Sequence, residues 1–104
     1  MKNEIVILTK TQEVLDKDGY KNGVKVVDER EVFAEEKSVT REEFFKALQS
    51  GFSADIVLCV NRDEYDGHNK AYYNGNTYRI YRTYSSGVYD IELMCERVED
   101  NGTA

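Results

Sequence analysis

The sequence predicts a mainly β fold: a small antiparallel β-barrel of about six strands, with one short α-helix between the second and third long strands. Between Tyr72 and Val98, strand patterning and two turn signals occur together, which indicates an antiparallel meander. Upstream, three apolar β-rich runs are interrupted by one helical pattern. Closure of these strands into a barrel would remove the exposed edges of a flat sheet, and we expect residues 1–98 to form a single domain.

The first strand is predicted over Glu4 to Thr9, where four consecutive apolar β-formers are bounded by polar residues. Residues 10–23 follow, rich in Asp, Lys, Gly and Asn, with the turn dipeptides Asp18-Gly19 and Asn22-Gly23. They are predicted to form either a mobile loop or a long solvent-exposed hairpin tip. A long second strand is predicted from Val24 to Val39, with a bulge between residues 28 and 31.

A helix is predicted over residues 40–50. The hydroxyl of Thr40 can cap the first-turn amides, and Glu43 can reach back to the amide of Thr40, which makes a capping box. Gly51 is placed to end the helix in a left-handed conformation. Three apolar residues share one helical face: Phe44, Ala47 and Leu48.

The remaining elements are a strand from Ala54 to Val60, a polar loop over residues 61–70 and the meander. In the meander, Asn74-Gly75 predicts a type I′ turn, Thr77 to Tyr84 a strand, and residues 85–87 a second turn. The last strand, Val88 to Cys95, alternates between an apolar and a largely polar face. The predicted apolar face consists of Tyr89, Ile91, Leu93 and Cys95. Residues 99–104 are predicted to be a disordered tail.

Composition restricts the partners. The chain of 104 residues has 20 acidic and 14 basic residues and a net charge of -6, which disfavours electrostatic binding to nucleic acid or to anionic membranes. The apolar run from Ile5 to Leu8 is too short for a signal peptide or a membrane span, so we expect a cytosolic product. Cys59 and Cys95 are accordingly expected to be reduced core thiols rather than a disulfide.

No constellation of catalytic residues is recognisable, and we expect neither enzymatic activity nor a cofactor. The single histidine, His68, lies in a polar loop without a nucleophile at a strand-to-helix elbow, and is expected to be an exposed loop residue. The two cysteines lack zinc-site spacing. The acidic loop from Asn61 to Gly67 fits a calcium loop poorly, because Tyr73 stands where the bidentate glutamate is needed.

The tyrosines leave two interpretations open. On a small barrel they could form a stacking platform for single-stranded nucleic acid, as in OB-folds. They could equally serve as cross-strand or protein-interface residues, which the negative net charge favours. The tyrosines concerned are Tyr72, Tyr73, Tyr78, Tyr81, Tyr84 and Tyr89.

Nearly the whole chain resembles the head-tail joining proteins of long-tailed phages, also called head closure or head-tail adaptor proteins. The resemblance rests on the order of elements, on SVTREEF at 38–44, on YYNGNTYRIY at 72–81 and on the closing strand IELMCERV at 91–98. Phe33-Ala34 stands where the family typically has an aromatic, often Trp, followed by a small residue. The family also tends to be basic at the end of the third strand, where this chain has only Arg62 before an acidic loop.

The resemblance implies a structural virion protein that forms a ring below the portal or adaptor, closes the DNA-filled head and provides the docking surface for the tail. Its partners would be copies of itself, the portal or adaptor above, a tail-completion protein below and packaged double-stranded DNA in transit, without a membrane. The isolated subunit could still be a monomer. The protein would be found in the virion, and in the host cytoplasm during assembly.

By the same resemblance, the connection between the second and third strands, residues 40–53, is the candidate for a channel-lining or plug segment. The candidate residues in and beside it are Glu35, Glu36, Thr40, Arg41, Glu42, Phe45 and Gln49. Loops and barrel edges are expected to contact neighbouring subunits or partners. The candidates there are Tyr20, Tyr65, Tyr81, Arg82 and Tyr84.

Overall fold

The computed structural model describes residues 2–98, so the predicted disordered tail at 99–104 lies outside the described residues. The elements are β1 (Glu4–Leu15), β2 (Lys21–Lys37), α1 (Arg41–Gln49), β3 (Ile56–Asn61), a 3-10 turn (Arg62–Glu64), β4 (Lys70–Tyr73), β5 (Asn76–Ser85) and β6 (Asp90–Val98).

The six strands form a closed barrel in the order β1-β2-β3-β6-β5-β4, and all neighbouring pairs are antiparallel. Pairing of β4 with β1 closes the ring. The predicted mainly β barrel with one helix between the second and third strands is therefore confirmed.

The barrel interior is filled by alternate residues of all six strands, as the two-residue period of a strand requires. Its largest fully buried apolar side chains are Leu8, Leu58 and Leu93. Both cysteines are buried and free, as predicted. Burial raises the pKa of the Cys95 thiol to about 12.

The β1–β2 connection is shorter than the predicted loop. Residues 10–23 are mostly strand, and the two strands stay paired as far as Leu15 and Lys21, so the hairpin alternative was correct and the mobile loop was wrong. The pairing jumps from Lys10 with Asp28 to Thr11 with Val26, which leaves Val27 as an extra residue. The bulge thus lies just before the predicted position.

Two turns join the strands of the meander. Asn74 and Gly75 both have positive φ, 51° and 80°, as a type I′ turn needs, so this prediction is confirmed. The second turn is longer than predicted, because β6 begins at Asp90 rather than Val88. Tyr89 therefore lies in the turn with 80 % of its surface exposed, and its assignment to the apolar face was wrong.

The helix begins and ends as predicted, but its packing differs. Thr40 Oγ1 accepts a hydrogen bond from the Glu43 amide at 3.1 Å, and Gly51 has φ +84° after the helix. Glu43 Oε2, however, accepts hydrogen bonds from Tyr81 and Arg82 of β5. The predicted capping box would have placed this side chain at the Thr40 amide. Of the apolar face, only Ala47 is buried.

The outer face of β3 and β6 beside α1 is also partly apolar. Val57 and Met94 are buried there, and they line a cavity of about 420 Å³ together with helix residues that include Glu43 and Lys46. Met94 had been expected on the largely polar face of its strand. Helix residues line the same cavity as Met94, so α1 lies beside that face of the sheet.

Candidate interaction surfaces

The distal half of the β1–β2 hairpin extends beyond the barrel; we call residues 11–27 the arm. β1 pairs with β4 only from Val6 to Thr9, and β2 pairs with β3 only from Ala34 to Lys37. Beyond these points the two strands have only each other. The arm is therefore a two-stranded ribbon whose outer edges pair with no described strand.

The arm is apolar for an exposed ribbon. Its exposed large apolar residues are Leu15, Tyr20, Val24, Val26 and Val27. Every residue from Lys21 to Val27 is exposed. A long, exposed strand edge that carries valines is a template for pairing with another chain, which natural proteins usually protect. The arm is therefore a candidate interaction surface.

The tip of the arm is ordered by its own hydrogen bonds. Asp16 Oδ1 accepts from the amides of Asp18 and Tyr20, both at 2.9 Å, and the Asp16 amide donates to the Tyr20 carbonyl at 2.8 Å. These bonds make an Asx-type turn around Gly19, which has φ +86°. The tip thus holds the two strands in register.

A set of polar contacts fixes the base of the arm; we call these residues, Thr11, Asp28, His68 and Asn69, the clasp. The Thr11 amide donates to Asn69 Oδ1 at 2.9 Å, and Asn69 Nδ2 donates to Thr11 Oγ1 at 2.8 Å. On the other strand, His68 Nε2 lies 2.5 Å from Asp28 Oδ2. The loop before β4 therefore holds both strands where they leave the barrel.

His68 is the centre of the clasp, and its prediction as an exposed loop residue was wrong, because only 1 % of its surface is accessible. Its Nδ1 accepts the Asp66 amide at 3.1 Å, so the Nε2 hydrogen is the one donated to Asp28. This bond, together with the Arg30 guanidinium 3.0 Å away, lowers the pKa of the Asp28 carboxyl. Both ring nitrogens are thus engaged in holding the fold.

A second polar cluster joins α1 to the barrel. Pairing of β5 with β6 jumps from Ile80 to Arg82, so Tyr81 is an extra residue in a bulge. The Tyr81 hydroxyl donates to Glu43 Oε2 at 2.9 Å, Arg82 pairs with the same oxygen, and the Tyr81 ring stacks on Phe52. Burial and this acceptor raise the pKa of Tyr81.

The predicted channel-lining residues lie on the last part of β2 and on α1. Glu36 accepts a hydrogen bond from the Tyr73 hydroxyl at 2.8 Å; burial and this bond raise the pKa of Tyr73 to about 12. Glu35 is half-buried opposite Cys59 of β3. Thr40 serves as the helix cap. The others are exposed on the helix: Arg41, Glu42, Phe45 and Gln49.

The predicted interface residues divide into two groups. Tyr20 on the arm and Tyr84 on β5 are exposed and open to a partner. Tyr65, Tyr81 and Arg82 make contacts within the subunit: the Tyr65 hydroxyl donates to the His68 carbonyl at 2.8 Å, and the other two bind Glu43. Contact of any of the five with a partner stays a prediction.

The tyrosines considered as a stacking platform do not share one surface. Tyr73 and Tyr78 are buried in the barrel core, and Tyr81 is stacked on Phe52. Tyr84 and Tyr89 are exposed at the other end of β5 and in the following turn. The geometry therefore gives the OB-like alternative no specific support.

Helix α1 presents a further apolar surface. Phe44, Phe45 and Leu48 are each about half exposed, although Phe44 and Leu48 were on the face expected to pack. These three positions are neighbours around the helix. The structure thus leaves the larger apolar side chains of α1 outside the core.

Comparison with known proteins gives no identification: no protein-family model matches this chain, and no curated protein matches it. Within residues 2–98, no helix is long and apolar enough to cross a membrane. The same residues contain no group of three or more His, Cys, Asp or Glu side chains placed to hold a metal ion.

Proposed function

We propose that this chain is a structural subunit of a phage head-to-tail connector, which forms a ring below the portal or adaptor and offers a docking surface to the tail. The observation that carries the proposal is the element order: a closed six-stranded barrel with one capped helix between β2 and β3, which the resemblance in sequence implies. The arm supports it further, because a ring subunit needs a surface for its neighbour.

Charge supports the proposal too. A net charge of -6 suits a channel through which DNA slides without adhering. Glu42, at the start of α1, has 82 % of its side chain exposed, so its charge can be changed with little effect on the fold. Glu36 is less suitable for a charge change, because it accepts a hydrogen bond from the Tyr73 hydroxyl.

The proposal is tested by deleting the gene from its phage or prophage and examining the particles by electron microscopy. The expected result is DNA-filled heads that lose their DNA and tails that stay unattached, with recovery when the gene is supplied in trans. Electron microscopy of the purified protein mixed with the portal and adaptor should show one added ring. Normal tailed, infectious particles without the protein would refute the proposal.

The channel role has its own test. Particles with Glu42→Lys are expected to retain or eject DNA differently from particles with Lys46→Glu, a charge change of opposite sign one helical turn away. Glu35→Lys and Glu36→Lys particles extend the test to β2. Unchanged DNA retention and ejection in all of them would count against a channel-lining role for this segment.

A further inference from the structure

We propose that the arms of adjacent copies join edge to edge, the β2 edge of one arm pairing with the β1 edge of the next. The inference rests on the proposed ring, whose neighbouring contact it specifies. Its starting point is that the arm has two free edges: Lys21 to Val27 on β2 and, beyond the clasp, Gln12 to Leu15 on β1.

A strand of a second chain can satisfy these edges. Backbone N–H and C=O groups on the outer side of a ribbon have only water as a partner, and an added strand supplies a ladder of hydrogen bonds to them. The Thr11 amide already donates a hydrogen bond to Asn69, so pairing on the β1 side begins after Thr11. The β2 side carries Val24, Val26 and Val27, which gain contacts from an added strand.

Strand direction selects the β1 edge of a neighbour as the partner. In a ring, all copies point the same way along the axis, and contacts between them are heterologous. Because β1 and β2 run antiparallel in each arm, the β2 edge of one copy meets the β1 edge of the next in antiparallel orientation. Repetition around the ring leaves no free edge, just as closure does in a barrel.

Charge favours the same pairing over a symmetric one. The β2 edge carries Lys21 and Lys25, whereas the β1 edge carries Glu13. Pairing two β2 edges would bring lysines of both copies together, which is unfavourable across strands. Pairing β2 with β1 places lysines of one copy near the glutamate of the other, as already occurs within the arm, where Lys21 Nζ lies 3.2 Å from Glu13 Oε1.

Disulfide trapping tests which edges meet. One preparation carries Gln12→Cys and a second carries Asn22→Cys; both positions are exposed, so the variants should fold, and the charges of the two edges are kept. They are mixed at about 1 mM protein, which matches the effective concentration of linked neighbours and so populates a weak contact, in a glutathione redox buffer. The native Cys59 and Cys95 are buried and should not interfere. A matched control, Lys46→Cys on α1, measures disulfides formed by random collision.

The expected product is the mixed disulfide between the two variants, exceeding each homodisulfide and the control by more than about tenfold, because docked thiols have a high effective concentration. A dominant Asn22→Cys homodisulfide would mean symmetric β2 pairing and would overturn the inference. Mixed product at the level of the control would overturn it as well.

The result separates this inference from the proposed function. Trapping uses only copies of this chain, whereas the added ring is scored on portal and adaptor. Collision-level trapping together with an added ring refutes arm pairing and leaves the connector role intact. Strong mixed trapping without any ring, and with normal particles after gene deletion, supports arm pairing and refutes the connector role.

Discussion

Replacement of His68 measures how much the clasp contributes to stability. The imidazole is fully buried and both its nitrogens are hydrogen-bonded, so His68→Ala removes a large buried side chain and leaves the Asp66 amide without its acceptor. We expect the free energy of unfolding to fall by about 3 kcal/mol. In a domain of this size, the melting temperature should fall by roughly 12 °C or more.

Two further variants separate the two hydrogen bonds of the imidazole. In His68→Asn, an amide oxygen can take the position of Nδ1 and keep the hydrogen bond from the Asp66 amide. In His68→Gln, the longer side chain can donate a hydrogen bond from its NH₂ group to Asp28. Since a bond to an ionised acceptor is the stronger one, Gln should destabilise less than Asn, and Asn less than Ala.

Urea unfolding followed by circular dichroism measures these differences. Lys46→Ala is the control, because this lysine is exposed on α1 and its ion pair with Glu42 is solvated. If the unfolding free energy of His68→Ala lies within about 0.5 kcal/mol of that of the native chain, as it would for a surface substitution, the reasoning about the clasp is refuted.

Three more predictions follow from the same contacts. Glu43→Ala should lower the unfolding free energy by about 1–2 kcal/mol, because the Tyr81 hydroxyl loses its acceptor. The control, Glu42→Ala, should change it by less than about 0.5 kcal/mol in the same urea assay. Equal effects of the two substitutions would refute the role of this cluster. The Asp28 carboxyl has a pKa below its value of 3.8 in an unfolded chain, so the stability it contributes is complete above about pH 4 and is lost as the pH falls through its folded pKa. Thermal melts from pH 5 to pH 2 should therefore show a steeper loss in the native chain than in Asp28→Asn, and parallel curves would contradict the assignment. Cys95, with a pKa of about 12, should react with iodoacetamide at pH 8 only in denaturant, and rapid labelling of this thiol in the folded protein, located by mass spectrometry, would contradict its burial.

The barrel and its helix could be predicted from the sequence because local signals determine them. Asn74-Gly75 encodes a type I′ turn in two residues, and Thr40 with Gly51 encodes the two ends of a helix. Alternation in the last strand placed Leu93 and Cys95 correctly in the core. Each of these signals acts over a few residues, so tertiary context did not alter it.

The clasp depends on contacts distant in sequence, which local patterns do not encode, and the arm depends on strand pairing, which composition does not reveal. Residues 10–23 look like a loop in composition, and they are strands because β1 and β2 pair with each other. His68 lies in a polar loop, yet it is buried because its partner, Asp28, is 40 residues away on β2. The turn dipeptides Asp18-Gly19 and Asn22-Gly23 were the local signals for the hairpin alternative, but they did not exclude a mobile loop.

The helix shows a third limit. Periodicity placed Phe44, Ala47 and Leu48 on one face, but only Ala47 is buried. Glu43 binds Tyr81 and Arg82 on β5, so its side of the helix faces the barrel, while Phe44 and Phe45 are about half exposed. Glu43 thus contacts residues 38 and 39 positions away, and the apolar periodicity of this nine-residue helix does not encode such contacts.

The strength of arm pairing can be bounded from the structure, and it explains why ring formation would need a template. Each exposed valine of the β2 edge contributes about 1 kcal/mol when an added strand covers part of it, and each new ladder hydrogen bond contributes about 1 kcal/mol net. A contact along Lys21 to Val27 therefore stabilises a pair of copies by an amount comparable with the cost of their association. Two free copies should accordingly bind weakly, and at about 10 µM the protein should sediment as a monomer. In the proposed connector, a portal would hold the neighbours side by side at an effective concentration of order mM, and each subunit would gain two such contacts, so the same weak edges would suffice to close a ring. A stable ring at micromolar concentration without the portal would show that a larger interface than the arm holds the copies together.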